Sequence, residues 1–415
     1  MKNNNRYDLS NSLTHFFRDI CLEDESESIV MPDFGFGFID DYYKYSAFFL
    51  LRATIRHGTL CATWAERNGR RTIYGPRPAV CFTDMPLGAF IETARQRQQQ
   101  GQKISTYALV FKKNELFSLG ARPVIYGLSD DNSTGDFPFK EGPRIIPDTM
   151  LPKCEQYRFV RYELNTSKTQ IDWTHEREWR WPFKGDIESH EKKLKEEFQL
   201  RPHDMPHLSM YEEAIKEIGI IVNTNEELGQ VLHDILRLID SNKINTDTYS
   251  YVLVLDSIEN LDKLKSQTEA QEALVNATIN LSDVLHIDEE QDALIYKRVR
   301  EIVENIEESY SPPERGEFGG CWLWLLDNTN ELTRSLLNMG HVEISESGKY
   351  LYNPLFCKDR SLRQRESMTK KLALALQSEF ETELGYHSVL NKFDINGMPF
   401  YSDMHTDNIQ YYTAE

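Results

Sequence analysis

The spacing of apolar positions predicts two helices in the first quarter of the chain. Apolar residues recur at helical spacing over residues 45–58, and Gly58 stands where a left-handed residue commonly closes a helix. A second helix is expected over residues 87–99, after the turn-forming segment TDMPL, with Asp84 as a candidate capping residue.

Short apolar runs indicate strands around and after these helices. The expected strands cover residues 79–82, 105–111, 122–127, 156–163 and 176–183, together with a strand or turn within residues 8–20. Residues 128–150 are rich in Ser, Asp, Gly and Pro, which predicts a long loop. The first 185 residues are therefore predicted to combine helices and strands.

The pattern changes after residue 185. Residues 186–210 are polar and predict a linking segment. Apolar runs at 218–222 and 249–258 predict strands on either side of a helix, whose start carries the capping-box pair Thr224 and Glu227. This βαβ-like segment either completes the first domain or begins a second.

The last part of the chain predicts helices and a hairpin. An acidic amphipathic helix is expected over residues 289–308, and a hairpin over residues 342–353. A later helix carries Met368 and Phe380 on one face and is expected to end near Gly385.

The chain has 415 residues and a formal net charge of −19, which is unevenly distributed. Residues 1–190 carry 25 basic and 25 acidic residues, whereas residues 191–415 carry 22 and 41. The acidity disfavours a non-specific nucleic-acid-binding protein, while 16 arginines in the neutral part offer planar forks for phosphate or carboxylate. We therefore expect a first domain over residues 1–190 or as far as 258, an acidic connecting region over 191–310, and a C-terminal sensing or interaction domain over 311–415.

The cysteine spacing and the hydropathy of the chain indicate the cellular compartment in which the protein is expected. The six cysteines are scattered without a CxxC pair, so neither a metal site nor a disulfide framework is expected. The chain has no apolar run of about 18 residues and no signal-peptide pattern. We expect a cytoplasmic protein that binds no metal and contacts no membrane.

The segment HEREWRW, residues 175–181, carries two glutamates two positions apart. On a strand, Glu176, Glu178 and Arg180 would share one face. Paired carboxylates suit chemistry at a sugar carbon, where one stabilises positive charge and the other orients or deprotonates an acceptor. The alternative is an exposed strand face whose glutamates pair with Arg177 and Arg180.

Two further segments contain candidate residues. In LTHFF, His15 is either a hydrogen-bond donor in a pocket or a structural residue of the core. In CFTDMPL, Thr83 and Asp84 end a strand, which taken alone indicates a structural turn. Cys81 is a poor nucleophile, because an apolar strand keeps its thiol protonated.

In chain order, these segments resemble a known family. His15-Phe16, the helix that ends in glycine, CFTDMPL, YALVFKKNELFSLGARPVIYG and EREWR are similar to abortive-infection proteins of the AbiGi type over residues 10–185, or as far as 258. Those proteins share the ADP-ribosyltransferase-like fold, with NAD in a cleft between two small sheets. The resemblance implies an α+β fold, an ADP-ribosyltransferase-like split β-sandwich with flanking helices, followed by a mixed α/β and helical C-terminal domain.

The resemblance also implies site residues. Glu178 matches the catalytic glutamate of a late strand, and Glu176 completes an E-x-E pattern that serves the acceptor. The residues implied in NAD binding are His15 and Phe16 on the first strand, Phe82 and Thr83 on the middle strand, and Arg71 and Arg77, with Arg70, ahead of it. No aromatic residue is assigned to the nicotinamide ring.

The implied function is that of a bacterial anti-phage effector that transfers ADP-ribose from NAD to a macromolecular acceptor, either protein or nucleic acid. The alternative is a non-catalytic antitoxin or sensor that keeps the fold. A nuclease is disfavoured, because no clustered Asp/Glu/Lys pattern occurs. The acidic C-terminal part is expected to mask an arginine-rich cleft until a phage component displaces it. Assembly as a homo-oligomer or with a partner protein is left open.

Overall fold

The computed structural model describes residues 9–22, 44–67, 70–127, 144–162, 165–166, 169–170, 172–196 and 200–400. Contacts divide the chain into two units. The first unit comprises Met1–Leu228 and Thr246–Leu281, and the second comprises Gly229–Asn245 and Ser282–Glu415. The sequence predicted three consecutive segments, whereas the chain enters the second unit, returns to the first and enters the second again.

Helices occur in both units. Their bounds are Ala47–His57 (α1), Leu87–Gln99 (α2), Lys113–Ser118 (α3), Ile187–Glu196 (α4), Asn225–Asp240 (α5), Gln267–Asn276 (α6), Leu281–Val284 (α7), Glu289–Ser309 (α8), Glu331–Asn338 (α9) and Leu362–Phe380 (α10). The predicted end of α1 at Gly58 is confirmed, whereas the helix begins at Ala47, two residues after the predicted start. The Ser46 hydroxyl accepts from the Phe49 N–H at 3.1 Å, and Gly58 closes the helix with a φ of 67°. A Cβ at Gly58 would lie 2.2 Å from the Tyr211 ring, so the close approach also requires glycine.

An eight-stranded sheet forms the centre of the first unit. Its strands are Ser12–Phe16 (β1), Ala79–Thr83 (β2), Ala108–Lys112 (β3), Arg122–Pro123 (β4), Glu178–Pro182 (β5), Ile218–Val222 (β6), Tyr249–Val254 (β7) and Thr278–Asn280 (β8). Their order is β8-β7-β6-β3-β1-β2-β5-β4, with β6 and β7 parallel and the other neighbours antiparallel. The two strands of the βαβ segment predicted after residue 217 therefore complete this sheet, whereas Gly229–Asn245, between them, belongs to the second unit.

The sheet has a seam between β1 and β2. β1 pairs with β3 at five positions, from Ser12 opposite Lys112 to Phe16 opposite Ala108. It pairs with β2 only where Thr14 lies opposite Thr83. β2 in turn pairs with β5 along five positions. Two groups of strands therefore join through a single ladder position.

Short elements surround the sheet. Two-stranded ladders join Ile20–Cys21 to Lys44–Tyr45, Thr59–Cys61 to His207–Ser209, Glu66–Arg67 to Arg70–Arg71, Ile125–Gly127 to Phe159–Arg161, and Asn165–Thr166 to Thr169–Gln170. Turns of 3₁₀ helix cover Lys153–Arg158, Trp173–Glu176, Pro202–Asp204, Leu255–Ser257 and Leu261–Lys265.

Helix α2 covers one face of the sheet. Its Phe90, Ile91 and Ala94 are fully buried and belong to one apolar cluster with strand residues such as Val110 and Ile221. Burial of each large apolar side chain contributes about 1.5–3 kcal/mol relative to exposure. This packing fixes α2 against β3 and β6, which lie on the other side of β1 from β2 and β5.

The second unit contains a four-stranded antiparallel sheet. Its strands are Gly319–Leu325 (β9), Val342–Ile344 (β10), Tyr350–Tyr352 (β11) and Leu384–Leu390 (β12), in the order β10-β11-β9-β12. Leu323 and Leu325 form one apolar cluster with residues of α8, α9 and α10. Trp322 and Trp324 alternate with them and form a separate cluster with Leu351. Both tryptophans are buried, and the predicted hairpin is confirmed.

Three local predictions are wrong. The strand expected over 176–183 begins at Glu178, because Glu176 belongs to a 3₁₀ helix. Residues 186–210 include α4 and a strand rather than only a linker. Helix α10 ends before a left-handed Glu381, and Gly385 lies within β12. The predicted mixture of helices and strands is confirmed at the level of an α+β protein. In the part of the chain that the structure describes, every helix is too short or too polar to cross a membrane.

Candidate functional site

An aspartate at the end of β2 fixes the turn before β5. The Asp84 carboxylate lies 2.6 Å from Lys113 Nζ and accepts from Trp179 Nε1 at 3.3 Å. Its backbone N–H donates to the carbonyl of Arg177 at 3.1 Å. Arg177 has a left-handed backbone with a φ of 47°, and β5 starts at the next residue. Asp84 therefore fixes this turn and does not cap α2, which begins after Pro86 without a side-chain cap.

Glu178, the first residue of β5, forms a two-point ion pair with Arg180. Arg180 Nε and Nη2 donate to the two carboxylate oxygens at 2.7 and 3.1 Å. Its Nη1 donates to the backbone carbonyls of Tyr157 at 2.7 Å and Phe159 at 3.3 Å. The Arg180 side chain is 6% exposed and that of Glu178 is 19% exposed. The pair thus joins a buried guanidinium to a carboxylate that solvent can still reach.

Glu176 lies just outside the strand and has its own arginine. Its carboxylate accepts from Arg97 Nη1 at 2.8 Å, and its backbone carbonyl accepts from Thr83 Oγ1 at 2.6 Å. The exposed fractions are 28% for Glu176 and 21% for Arg97. The expectation that Glu176 and Glu178 share one face of a single strand is wrong, because Glu176 belongs to a 3₁₀ helix and the left-handed Arg177 separates it from the strand. Hydrogen bonds from Thr83 and Arg97, rather than strand pairing, hold Glu176 near the site.

A row of three side chains crosses the adjacent strands β1, β2 and β5. Thr14 lies opposite Thr83, and Thr83 lies opposite Glu178. Directly opposed residues of antiparallel strands project from the same face. The Thr83 hydroxyl is hydrogen-bonded, whereas the Thr14 hydroxyl is buried without a hydrogen-bond partner among the residues that the structure describes. The row places a reachable carboxylate in line with two buried hydroxyls.

Tyr126 and Cys81 lie close to both glutamates. Burial raises the pKa of Tyr126 to about 12, and the charges of Glu178 and Glu176 add to this shift. Burial and the neighbouring Glu178 also raise the pKa of the Cys81 thiol well above its ordinary value. The expectation of a protonated thiol is confirmed. Tyr126 is an aromatic residue at the site that the sequence did not assign.

His15 lies on the opposite face of the sheet from Glu178. Its ring meets Phe17 and Phe82 edge-on, with centroid distances of 5.1 and 5.8 Å. Its Nδ1 lies 2.9 Å from the carbonyl of Cys81, and burial lowers its pKa against the opposing effect of that hydrogen bond. A neutral ring that donates from Nδ1 therefore fills the seam beside β2, and the structure does not bring it to Glu178.

The phenylalanines implied in NAD binding belong to the apolar packing on the two faces. Phe16 shares the face of Glu178 but packs against Phe90 of α2 at a centroid distance of 5.8 Å. Phe82 lies on the face of His15 and meets Phe111 edge-on at 5.7 Å. The structure brings neither ring to Glu178, and their role in NAD binding stays a prediction.

Two of the predicted arginines lie near the cluster that adjoins Cys81. The guanidinium carbon of Arg71 lies 3.9 Å above the ring of Trp64, and Trp64 and Cys81 pack against the same apolar cluster. Arg77 lies near Tyr157, a member of that cluster. Neither position tests phosphate binding, so a contact of Arg71 or Arg77 with a bound phosphate stays a prediction.

Sequence reasoning missed the place of three residues in the site. Arg97 is 79 positions from Glu176, and no local pattern links the two. Tyr126 lies in a run that was assigned only as a strand, and Asp84 was assigned as a cap. The side chain of Arg70 lies outside the described residues. Within the described ranges, no group of three or more His, Cys, Asp and Glu side chains is arranged to hold a metal ion.

Comparison with known proteins bears only on the second unit. Residues 287–414 match a family model described as "Protein of unknown function (DUF4427)". No curated protein and no solved structure matches the chain. The matched region does not include Glu178, Glu176 or their arginines, so these comparisons assign no activity to the site.

Proposed function

We propose that the first unit is an ADP-ribosyltransferase that uses NAD, and that the chain acts as a bacterial anti-phage effector. The proposal rests on the family resemblance of residues 10–185 and on the geometry around Glu178. The observation that carries it is the cross-strand row that ends in the Glu178 carboxylate, which a buried arginine holds and solvent still reaches. The split β-sandwich fold is part of this proposal, and the seam between β1 and β2 supports it.

The residues at this site fit the ribose of NAD. A carboxylate offers about four lone-pair positions, and the two hydrogen bonds from Arg180 leave two for ribose hydroxyls. Tyr126 supplies an aromatic ring near the same carboxylate. Arg71 and Arg77 are the candidates for the pyrophosphate, because a guanidinium matches phosphate geometry.

NAD supplies the reactive bond between the ribose C1′ and nicotinamide. In the proposed reaction this bond breaks, nicotinamide leaves with the bonding electron pair, and the acceptor forms a new bond to C1′ and gives up a proton. Glu178 accepts hydrogen bonds from the ribose and stabilises the positive charge that develops at C1′. Glu176 orients the acceptor and receives its proton once Arg97 yields the carboxylate.

One observation favours a second candidate, a non-catalytic antitoxin or sensor with the same fold. Both carboxylates are already paired, Glu178 with Arg180 and Glu176 with Arg97. Such pairing is also typical of a purely structural cluster. NAD turnover separates the two candidates.

The experiment compares the full chain with two variants in NAD consumption and transfer of labelled ADP-ribose to lysate components. Wild type is expected to release nicotinamide and label an acceptor, in resting or phage-infected lysate. Glu178→Gln should reduce turnover by about 10²–10³-fold, since one lost electrostatic contact to a transition state costs about 2.7–4 kcal/mol. Glu188→Gln, at an exposed position of α4, is the matched control and should behave as wild type.

Two results would reject a transferase site at Glu178. The first is an absence of both NAD loss and label transfer by wild type in resting and infected lysates. The second is undiminished turnover by Glu178→Gln. The first result leaves the non-catalytic candidate, and the second locates the reaction elsewhere in the chain.

The proposal includes partners for both parts of the chain. The acceptor is a macromolecule, either protein or nucleic acid, and the label identifies which. A phage component acting on the C-terminal residues 311–415 is the proposed trigger, and the acidic balance of residues 191–415 motivates it. A higher rate of NAD consumption in infected than in resting lysate is the expected signature of such a trigger.

A further inference from the structure

Arg180 has a combination of contacts that a simple surface ion pair lacks. All three of its nitrogens donate: Nε and Nη2 to the Glu178 carboxylate, and Nη1 to the backbone carbonyls of Tyr157 and Phe159. The guanidinium is a rigid plane, so fixing one edge on the two carbonyls fixes the direction of the other edge. The orientation of Glu178 is therefore coupled to the 3₁₀ helix Lys153–Arg158 and the strand after it.

We propose that Arg180 is a positioning residue for Glu178, and that the carbonyls of Tyr157 and Phe159 serve as its anchor. This inference rests on the proposed function, and it adds how the chain keeps the carboxylate directed towards the ribose. Glu178 is the terminal residue of its strand and follows a left-handed turn. Without a partner, its side chain would have several rotamers available.

The neighbouring strand keeps the pair in place. Arg180 lies opposite Cys81 in the ladder between β5 and β2, and the half-buried Cys81 side chain lies on the same face. Burial alone would lower the pKa of Arg180, but the carboxylate of Glu178 raises it above its ordinary value. The arginine thus stays charged at a site where a solitary cation would be costly.

Lysine is a sharp probe of this role. Arg180→Lys keeps the positive charge but replaces the planar fork with a single ammonium group, which cannot hold both carboxylate oxygens and both carbonyls in one geometry. We expect kcat for NAD turnover to fall about 10–100-fold, as misplacement of a reacting group does, while KM for NAD changes by less than about twofold. Combined with Glu178→Gln, the lysine variant should cause little further loss.

Arg298→Lys is the matched control. Arg298, on α8 of the second unit, forms the same kind of two-point pair, because its Nε and Nη2 donate to the two carboxylate oxygens of Glu379 at 2.7 and 3.1 Å. Arg298→Lys removes that planar fork without touching Glu178 or its anchor, so it should leave kcat within about twofold of wild type. An equal fall of kcat in both variants, a normal kcat for Arg180→Lys, or a loss confined to KM would each overturn the positioning role.

A second measurement needs no change at Arg180 and no turnover. In wild type, the Nε–H of Arg180 should exchange slowly with water in nuclear magnetic resonance spectra, and its exchange should speed up at least about tenfold in Glu178→Gln. If the Arg180 Nε–H exchanges rapidly in wild type, the positioning role fails even if NAD is consumed. If the slow group responds as expected but wild type consumes no NAD, the proposed reaction fails while the fixed carboxylate stands.

Discussion

Each unit contains an arginine–carboxylate pair, and the two pairs differ in how far they are closed. In the first unit, Arg180 holds a Glu178 carboxylate that is 19% exposed. In the second, Arg334 Nη1 lies 2.7 Å from Asp240 Oδ2, which also accepts from the Tyr350 hydroxyl at 2.8 Å. Asp240 is only 4% exposed. Both pairs join a guanidinium to a carboxylate, but solvent reaches the carboxylate of Glu178 and is almost excluded from that of Asp240. We call the first pair open and the second sealed.

Neutral donors complete the sealed pair. Asn328 Nδ2 donates to the Tyr350 hydroxyl at 2.9 Å and to the carbonyl of His233 at 3.0 Å. Burial raises the pKa of Tyr350 well above its ordinary value, so its hydroxyl remains a donor to Asp240. This network connects the end of α5 to β11. The comparison shows that the presence of an ion pair does not by itself mark a candidate site. The exposure of its carboxylate to solvent distinguishes the candidate site from a buried structural ion pair.

The sharpest test of the comparison removes the sealed carboxylate. Asp240→Ala leaves the Arg334 charge without its partner and the Tyr350 hydroxyl without its acceptor. We expect a loss of about 3–5 kcal/mol in the free energy of unfolding of the second unit, measured by denaturant titration. Asp247→Ala is the control, because Asp247 forms an exposed pair with Lys216, and its midpoint should match wild type. Equal midpoints for both variants would show that the sealed pair is not structural.

The second prediction concerns the pH dependence of the second unit. His387 is 3% exposed, and burial, with the nearby charge of Lys349, lowers its pKa to about 4. The unfolded chain takes up the proton near pH 6.5, whereas the folded chain stays neutral down to about pH 4. Stability therefore falls as the pH drops from 7 to 4, by about 3 kcal/mol for this group.

Replacement of this histidine provides the measurement. The free energy of unfolding is measured by denaturant titration at several pH values. In His387→Gln, the fall in this free energy between pH 7 and pH 4 should be smaller than in wild type by about 3 kcal/mol. His286→Gln, at an exposed histidine of the same unit, should keep the wild-type slope. Identical pH slopes for wild type and His387→Gln would contradict the buried neutral ring.

The smallest expected effect concerns the partly open pair of Glu176 and Arg97. Arg97→Gln removes an ion pair whose members are 28% and 21% exposed. Because solvent screens such a pair, we expect a loss of less than about 1 kcal/mol in thermal or denaturant unfolding. Arg95→Gln on the same helix is the control. A loss as large as that of Asp240→Ala would remove the distinction between open and sealed pairs.

Local sequence patterns predicted much of the fold. The bounds of α2 and of the apolar strand Ile218–Val222 agree with the predictions, because period and burial are properties of short windows. The capping box is also confirmed, since Thr224 Oγ1 accepts from the N–H of Glu227, and the Glu227 carboxylate accepts from the N–H of Thr224. Each of these features depends on residues within a few positions of one another.

The site was less accessible to such reasoning. The strand alternation that related Glu176 to Glu178 fails at the left-handed Arg177, and no glycine marks that turn in the sequence. The face occupied by His15 depends on which residue of β1 lies opposite Thr83, and this register is set by tertiary packing. The pairing of Arg97 with Glu176 likewise exists only once α2 has docked.

The seam between β1 and β2 has a consequence for the cooperativity of the first unit. Backbone hydrogen bonds that are shared with a neighbouring strand protect amide protons and tie strands into one opening unit. Thr14 opposite Thr83 is the single ladder position that joins β1 to β2. The strands on the two sides of the seam can therefore open as separate units, with the hydrogen bond from His15 to the carbonyl of Cys81 as a side-chain link between β1 and β2.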